Sequence, residues 1–273
     1  ELEVDHLDAV ICSHPDEDHC GGLSAVLAST RTDAFYCSVD SWHTKVFSDV
    51  TKYVAEQGIS VTVPQAGDTF AFSDASVEFL GPVVDYGDDP NEGSLVARVR
   101  YGETSFLFTG DMGFEAEDDM LAAGVDVSAT VLKVAHHGSA GSSSTEFLQA
   151  VHPQYAVISV GADNDYGHPT EAALNRLSAC GIPVYRTDLL GEIIAVSDGK
   201  TVTITSASNE APPASDAASQ TAGSYGYVGN SSSKVVHLAS CGKLPGESNR
   251  VYFASLDEAL AAGYRKHANC LGN

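Results

Sequence analysis

Basic side chains are scarce in this 273-residue chain: 14 Lys and Arg stand against 37 Asp and Glu, for a formal net charge of −23. The shortage is uneven. Residues 1–205 hold 32 acidic and 9 basic side chains, whereas residues 206–273 hold five of each. The longer part therefore lacks the cationic groove that retains nucleic acid through counterion release, and affinity for polyanions there needs bound cations. Long apolar runs are missing too: no stretch approaches the roughly 18 residues that span a bilayer, so no membrane helix is expected. The first residues, Glu1-Leu2-Glu3-Val4-Asp5, have neither the basic start nor the apolar stretch of a signal peptide, and no methionine begins them, as expected of a fragment or a processed product. There is no internal repeat. Cys12, Cys20, Cys37 and Cys180 show no ligand spacing, and Cys12 and Cys180 read as small core residues.

What the chain does have is ligand chemistry at strand ends. His14-Pro15-Asp16-Glu17-Asp18-His19 follows the apolar run Leu7 to Cys12 and precedes Gly21-Gly22. Two imidazoles and three carboxylates on one short loop are costly unless a metal occupies it. The bland alternative is a solvated acidic turn with Asp18 or His19 as a helix N-cap, but a cap needs one such residue. Thr109-Gly110-Asp111 follows Phe106 to Phe108, and His136-His137-Gly138-Ser139 follows Val131 to Ala135. Three strand ends can thus aim ligands at one sheet rim. If His136 and His137 continue the strand, only one of them faces the metal. Lone His6, His43 and His152 read as surface or packing residues.

Helix and strand patterns alternate, predicting an α/β fold. Strands are expected at Leu7 to Cys12, Ala34 to Val39, Ile59 to Val63, Thr69 to Phe72, Val77 to Leu80, Ala129 to Ala135, Tyr155 to Val160 and Val184 to Arg186, with hairpins at Ser94 to Thr109 and Glu192 to Thr205. Helices are expected at Gly22 to Leu27, Ser41 to Gln57, Gly113 to Ala123, Thr145 to Val151 and Thr170 to Cys180. This gives a domain over 1–205, an Ala, Ser and Pro-rich flexible linker over 206–224, and a small unit over 225–273.

The ordered set of motifs, extended by Leu132-Lys133-Val134-Ala135, Ile158-Ser159-Val160-Gly161, Tyr166-Gly167-His168-Pro169 and Val184-Tyr185-Arg186-Thr187-Asp188, resembles the metallo-β-lactamase superfamily, and within it the hydrolase domain of ComEC-type DNA-uptake proteins. The resemblance covers about the first three quarters of the chain. It implies an αββα sandwich whose N-terminal strands are missing here, leaving an unpaired edge beside Leu7 to Cys12. It also implies two divalent metal ions, zinc or manganese. His14 and Asp16 would hold one and Asp18 and His19 the other, with Asp111 bridging and His137 or His136 completing the second site. Asp16 stands where the wider superfamily has histidine, which hardens the site toward manganese or magnesium. Upstream of Asp111 the chain offers Asn91-Glu92-Gly93-Ser94 in place of a further histidine, so the first site is expected to be weak. Asp18 and His168 are the expected catalytic residues, His168 contacting phosphate or protonating the leaving group, with Ser139 and Asn164 as further substrate contacts. The implied activity is hydrolysis of phosphodiester bonds in DNA, within a DNA-uptake system at the cell surface or outside it. The alternatives are hydrolysis of another ester, lactone or amide on the same fold, and a non-catalytic DNA-capture protein.

In the last unit, His237-x-x-x-Cys241 and His267-x-x-Cys270 have zinc-site spacing and resemble the zinc-binding domain of Ada-type proteins, so a small α+β domain around one structural zinc is expected. A Cys241 to Cys270 disulfide is the alternative. Lys234, Lys243, Arg250, Arg265 and Lys266 are its candidate nucleic-acid contacts.

Overall fold

The computed structural model describes residues 4–207, 227–238, 241, 243–246, 249–253 and 256–271. The chain opens with β1 (His6–Leu7), β2 (Val10–Cys12), α1 (Glu17–Cys20), α2 (Leu23–Ser29), β3 (Arg31–Thr32), β4 (Phe35–Cys37), α3 (Lys45–Glu56) and β5 (Val61–Thr62). The single strand expected over Leu7 to Cys12 is split, because its two halves find different partners: β1 runs parallel to β3, and β2 runs parallel to β4. Helix α3 starts at Lys45 rather than Ser41, because the Thr44 hydroxyl accepts the Phe47 N–H at 3.4 Å and sets the N-cap there. Its Phe47, Val50 and Val54 are fully buried at one-turn intervals and cover the parallel sheet β2-β4-β5 together with Leu27 of α2. Each such side chain contributes about 1.5–3 kcal/mol of burial.

The second half contains β6 (Thr69–Phe72), β7 (Ala75–Gly81), β8 (Val96–Tyr101), β9 (Thr104–Phe108), α4 (Phe114–Ala122), β10 (Val131–Lys133), α5 (Thr145–Val151), β11 (Tyr155–Ile158), α6 (Glu171–Ala179), β12 (Val184–Arg186), α7 (Thr187–Leu190) and the hairpin β13 (Ile193–Ser197) and β14 (Val202–Ser206). Strands β6 to β12 form one seven-stranded sheet in sequence order, an antiparallel meander to β9 and parallel from there. Strand alternation sends Leu107, Leu132, Ala156 and Ile158 into a core with Met120, Phe147, Leu148 and Leu177 from α4, α5 and α6. The other face, through Val77, Phe79, Leu95 and Ala97, meets Ile11 and Tyr36 of the small sheet, where the Tyr36 and Phe70 rings stack at 5.1 Å. The result is the helix, sheet, sheet, helix layering of an αββα sandwich. Among the described residues β2 pairs on one side only.

The hairpin β13-β14 continues to Ser206, and the Ala207 N–H still bonds Glu192 O at 2.9 Å, so structure passes the boundary expected at 205. From residue 208 the expected linker lies outside the described residues. Within the last unit, β15 (Tyr227–Asn230), β16 (Val235–Leu238), β17 (Arg250–Phe253), α8 (Leu256–Ala261), β18 (Arg265–Lys266) and α9 (Ala268–Leu271) form a sheet of order β17-β15-β16-β18 with short helices. Its core is small: Val236, Val251, Phe253, Ala259 and Tyr264. No helix among the described residues is long and apolar enough to cross a membrane.

One buried pair fixes the Ser-rich loop behind His136 and His137. Glu117 and Arg176 are 0% and 1% exposed. The Glu117 carboxylate accepts the N–H groups of Ser143 and Ser144, while Arg176 donates to Ser143 O at 2.7 Å, Ser142 O at 2.6 Å and Ala140 O at 3.1 Å. Arg176→Met strands these carbonyls and removes the cation near Glu117, whose carboxyl burial already pushes up to about 7, so it should cost about 3–5 kcal/mol. Urea unfolding checks this, and a midpoint equal to that of the parent protein would remove the clamp from the account.

Candidate metal centre

Strands β9 and β10 are parallel neighbours and end on the same rim, and the Leu95 N–H bonds Ser13 O at 2.8 Å, which ties the end of β2 to it. After β9 the chain turns at Gly110, whose φ of +51° and crowding favour glycine: an added Cβ would lie 2.6 Å from the Ser94 Cβ. That turn delivers Asp111, 3% exposed, into the centre.

The loop after β2 contains the helical turn α1, with Asp16 at its N-cap position and Asp18 and His19 inside it, so neither of the latter is the cap. The strand expected to reach Ala135 ends at Lys133, and His136 and His137 lie in a 3-10 turn, Ala135–Gly138, with left-handed φ values of 48° and 52°. The strict in-out choice of a strand therefore does not govern the pair. His137 turns inward, and His136 packs edge-on against His168 with ring centres 5.7 Å apart.

Asp18, His19, Asp111 and His137 converge, each offering one ligand atom within 4.8 Å of the others. His19 Nε2 lies 3.2 Å from His137 Nε2 and from Asp111 Oδ1, and His137 Nε2 lies 3.2 Å from Asp18 Oδ2 and 3.5 Å from Asp111 Oδ2. Ligands about 2.0–2.1 Å from a tetrahedral metal stand roughly 3.3 Å from each other, which is the spacing seen. The His14 ring lies tilted against that of His19, 4.0 Å between ring centres, and its Nε2 faces Asp16 Oδ2 at 3.8 Å. His136 Nε2 stands 3.8 Å from Asp111 Oδ2, at the edge of the group.

Hydroxyls absent from the motif reading set the rings. Ser13 Oγ lies 3.0 Å from His14 Nδ1 and 3.2 Å from His19 Nδ1, while Ser94 Oγ lies 3.2 Å from His14 Nδ1 and accepts the Asp111 N–H at 3.0 Å. His137 Nδ1 donates to Ser159 O at 2.7 Å. With Nδ1 engaged, each Nε2 is left to serve as a metal ligand. His14 Nε2 is buried without a hydrogen-bond partner, as expected of an atom shaped for a cation. The donor set therefore fits divalent metal.

Burial would raise the Asp111 carboxyl, but the hydrogen bond and charge of His19, with Lys133 and His137, hold it well below the usual carboxylate range. Burial and the Asp18 charge push Asp16 up. Lys133 is the cation beneath the rim: its stem is partly open, while its Nζ is buried and unpartnered and burial lowers its pKa.

The other expected substrate contacts are largely committed to structure. Asn164 Oδ1 accepts the His168 N–H at 2.9 Å and its Nδ2 donates to His168 O at 2.7 Å and Gly161 O at 2.9 Å, so its amide braces the loop rather than facing a ligand. Ser139 Oγ accepts the Gly141 N–H at 3.3 Å. His168 flanks the cluster, and burial, with His136 and His137, lowers its pKa. In the last unit His237, Cys241, His267 and Cys270 also converge within 4.8 Å, and Cys270 Sγ lies 3.2 Å from His267 Nδ1. Both cysteines are free thiols, so the disulfide alternative is not formed. Lys234 is spent on Tyr264, 4.6 Å above its ring, and Arg250 donates to Pro245 O at 3.0 Å, which leaves Lys243, Arg265 and Lys266 exposed.

The fold and this rim define a metallo-hydrolase architecture, and the chain belongs to the metallo-β-lactamase superfamily, whose profile matches residues 1–162. Its relatives carry the ComEC type of this unit. It is 32% identical over 190 residues to ComE operon protein 3 of Bacillus subtilis (strain 168), covering 70% of this chain and 24% of that protein. It is 37% identical over 191 residues to Competence protein ComA of Neisseria gonorrhoeae, covering 70% and 25%, and 31% identical over 189 residues to Recombination protein 2 of Haemophilus influenzae, covering 68% and 22%. The chain thus spans about a quarter of the length of these relatives.

Burial lowers the His14 pKa from 6.5 to about 4, with the His19 charge adding to the effect. The unfolded chain therefore binds a proton that the metal-free folded state refuses. Stability from this group is complete above pH 6.5 and lost as pH falls toward 4, by about 3 kcal/mol at most. Urea midpoints of metal-free protein should drop over that window and drop less in His14→Gln, and equal slopes would contradict this.

Proposed function

We propose that the chain is a metal-dependent phosphodiesterase acting on DNA, working with a DNA-uptake system at or outside the cell surface. The observation that carries this is the set of imidazole nitrogens and carboxylate oxygens of Asp18, His19, Asp111 and His137 aimed at one point, with the buried, unpartnered His14 Nε2 beside it. The competence proteins among its relatives support the substrate. Asp18, His19, Asp111 and His137 would hold one ion and His14 with Asp16 the other, with Asp111 between them. Zinc or manganese held there would supply a water nucleophile at neutral pH and offset charge on the phosphate.

The protein's own groups do the rest. Ser13 and Ser94 keep the imidazoles turned. Lys133 offsets part of the carboxylate charge from beneath. His168, held neutral by burial, donates a hydrogen bond to a phosphate oxygen rather than a proton. A second reading, hydrolysis of an uncharged ester, lactone or amide, is favoured by the acidity of residues 1–205. Incubating the protein with manganese or zinc and either labelled single-stranded DNA or a chromogenic lactam or ester decides between them. DNA should be cut, with Asp18→Ala and Asp111→Ala each lowering turnover by a factor of about 1,000 or more. Lactam or ester turnover with intact DNA supports the second reading, and DNA binding without turnover under any divalent metal leaves a capture protein.

We also propose that His237, Cys241, His267 and Cys270 hold one structural zinc in place of a larger core, because two sulfurs and two imidazoles are a tetrahedral zinc set and His237 Nδ1 is buried without a partner. Zinc release on adding a thiol-reactive mercurial should amount to one ion from this unit and vanish in Cys241→Ser/Cys270→Ser. Unchanged zinc content in that double variant would refute the site.

A further inference from the structure

Tyr166 stands out among the described residues: 82% of it is exposed, although an aromatic ring gains by burial. Its loop is braced, since the Asn164 amide closes it through three hydrogen bonds to Gly161 and His168. The ring stacks on the His168 imidazole, 5.9 Å between centres and 24° between planes, and His168 in turn meets His136 at 5.7 Å. His136 Nε2 lies 3.8 Å from Asp111. A row of three rings thus runs outward from the metal centre and ends on an open aromatic face.

Charge narrows what that face can take. Asp163 and Asp165 beside it are exposed, and residues 1–205 are strongly acidic, so phosphate is repelled there. A neutral planar base is not. Stacking depends little on counterion release, and in a duplex the bases are already stacked and unavailable. Resting on the phosphodiesterase reading above, we propose that Tyr166 is a stacking platform for an unpaired nucleobase adjoining the phosphate at the metal centre, which makes single-stranded nucleic acid the substrate class. The metal centre holds the phosphate, and Tyr166 holds the base.

Steady-state kinetics with a single-stranded oligonucleotide and with a base-free deoxyribose-phosphate oligomer of equal length test this, together with fluorescence of an oligonucleotide bearing 2-aminopurine. Tyr166→Ala should raise KM on the oligonucleotide about tenfold, the loss of one base stack, with kcat within about twofold and with Tyr166→Trp restoring it. On the base-free oligomer the variants should match, and quenching of 2-aminopurine on binding should be lost in Tyr166→Ala. An unchanged KM, or an equal rise on both substrates, overturns the platform. If no oligomer is cleaved at all, the phosphodiesterase reading fails by itself. The 2-aminopurine signal with metal-loaded protein then still decides: Tyr166-dependent quenching supports the platform, and quenching equal in both proteins, or absent from both, overturns it.

Discussion

Asp111 is an ionised carboxylate at 3% exposure with imidazole nitrogens on two sides, and the rest of the hydrolase-type unit is arranged around the cost of putting it there. An isolated buried charge is expensive enough to neutralise itself instead. Here its backbone N–H is held by Ser94, its loop is turned by a left-handed glycine, and Lys133 stands near enough to bias it toward the anion.

The sandwich explains why such a centre sits at a rim rather than in the core. Parallel strands β9 and β10 release their chains at one edge of the large sheet, and the small sheet, packed face to face through Tyr36, Phe70 and Phe79, brings the end of β2 to the same level. Each ligand loop thus leaves from a rigid strand end, and the hydroxyl of Ser94, just before β8, spans the gap by reaching both His14 and Asp111. The loop after His137 has no strand of its own to brace it, and the Glu117 and Arg176 pair supplies the missing backbone partners from two helices.

Much of this is legible in the amino-acid sequence. Period-2 and helical patterns gave the alternation of elements, and charged motifs directly behind apolar runs located the rim, because few other reasons gather imidazoles and carboxylates at strand ends. What could not be read has physical causes. A serine hydroxyl carries no spacing signature, so Ser13 and Ser94 look like ordinary loop residues although they orient the ligands. Strand alternation cannot choose between His136 and His137, because the strand ends at Lys133 and both histidines are left-handed. The resemblance implies Asn164 as a substrate contact, but its short amide bonds to its own loop. Glu117 and Arg176 lie far apart in sequence, and only the packing of α4 against α6 through the Ser-rich loop reveals them as partners.

The acidity of residues 1–205 and the proposed substrate are reconciled by the order in which charges meet. A rim with Asp16, Asp18 and Asp111 crowded together attracts divalent cations strongly and polyanions hardly at all until those cations have arrived. The rise in the Asp16 pKa caused partly by Asp18 is the same repulsion seen from inside the site. Metal loading would reverse the local sign at the centre, so a phosphate would be welcome there and repelled by the acidic surface elsewhere. An enzyme built this way does not cling to nucleic acid along its backbone. On the proposed reading, grip near the phosphate would come from contacts that carry no charge, such as an exposed aromatic ring on a braced loop, or from the part of the chain whose own charge is balanced, residues 206–273.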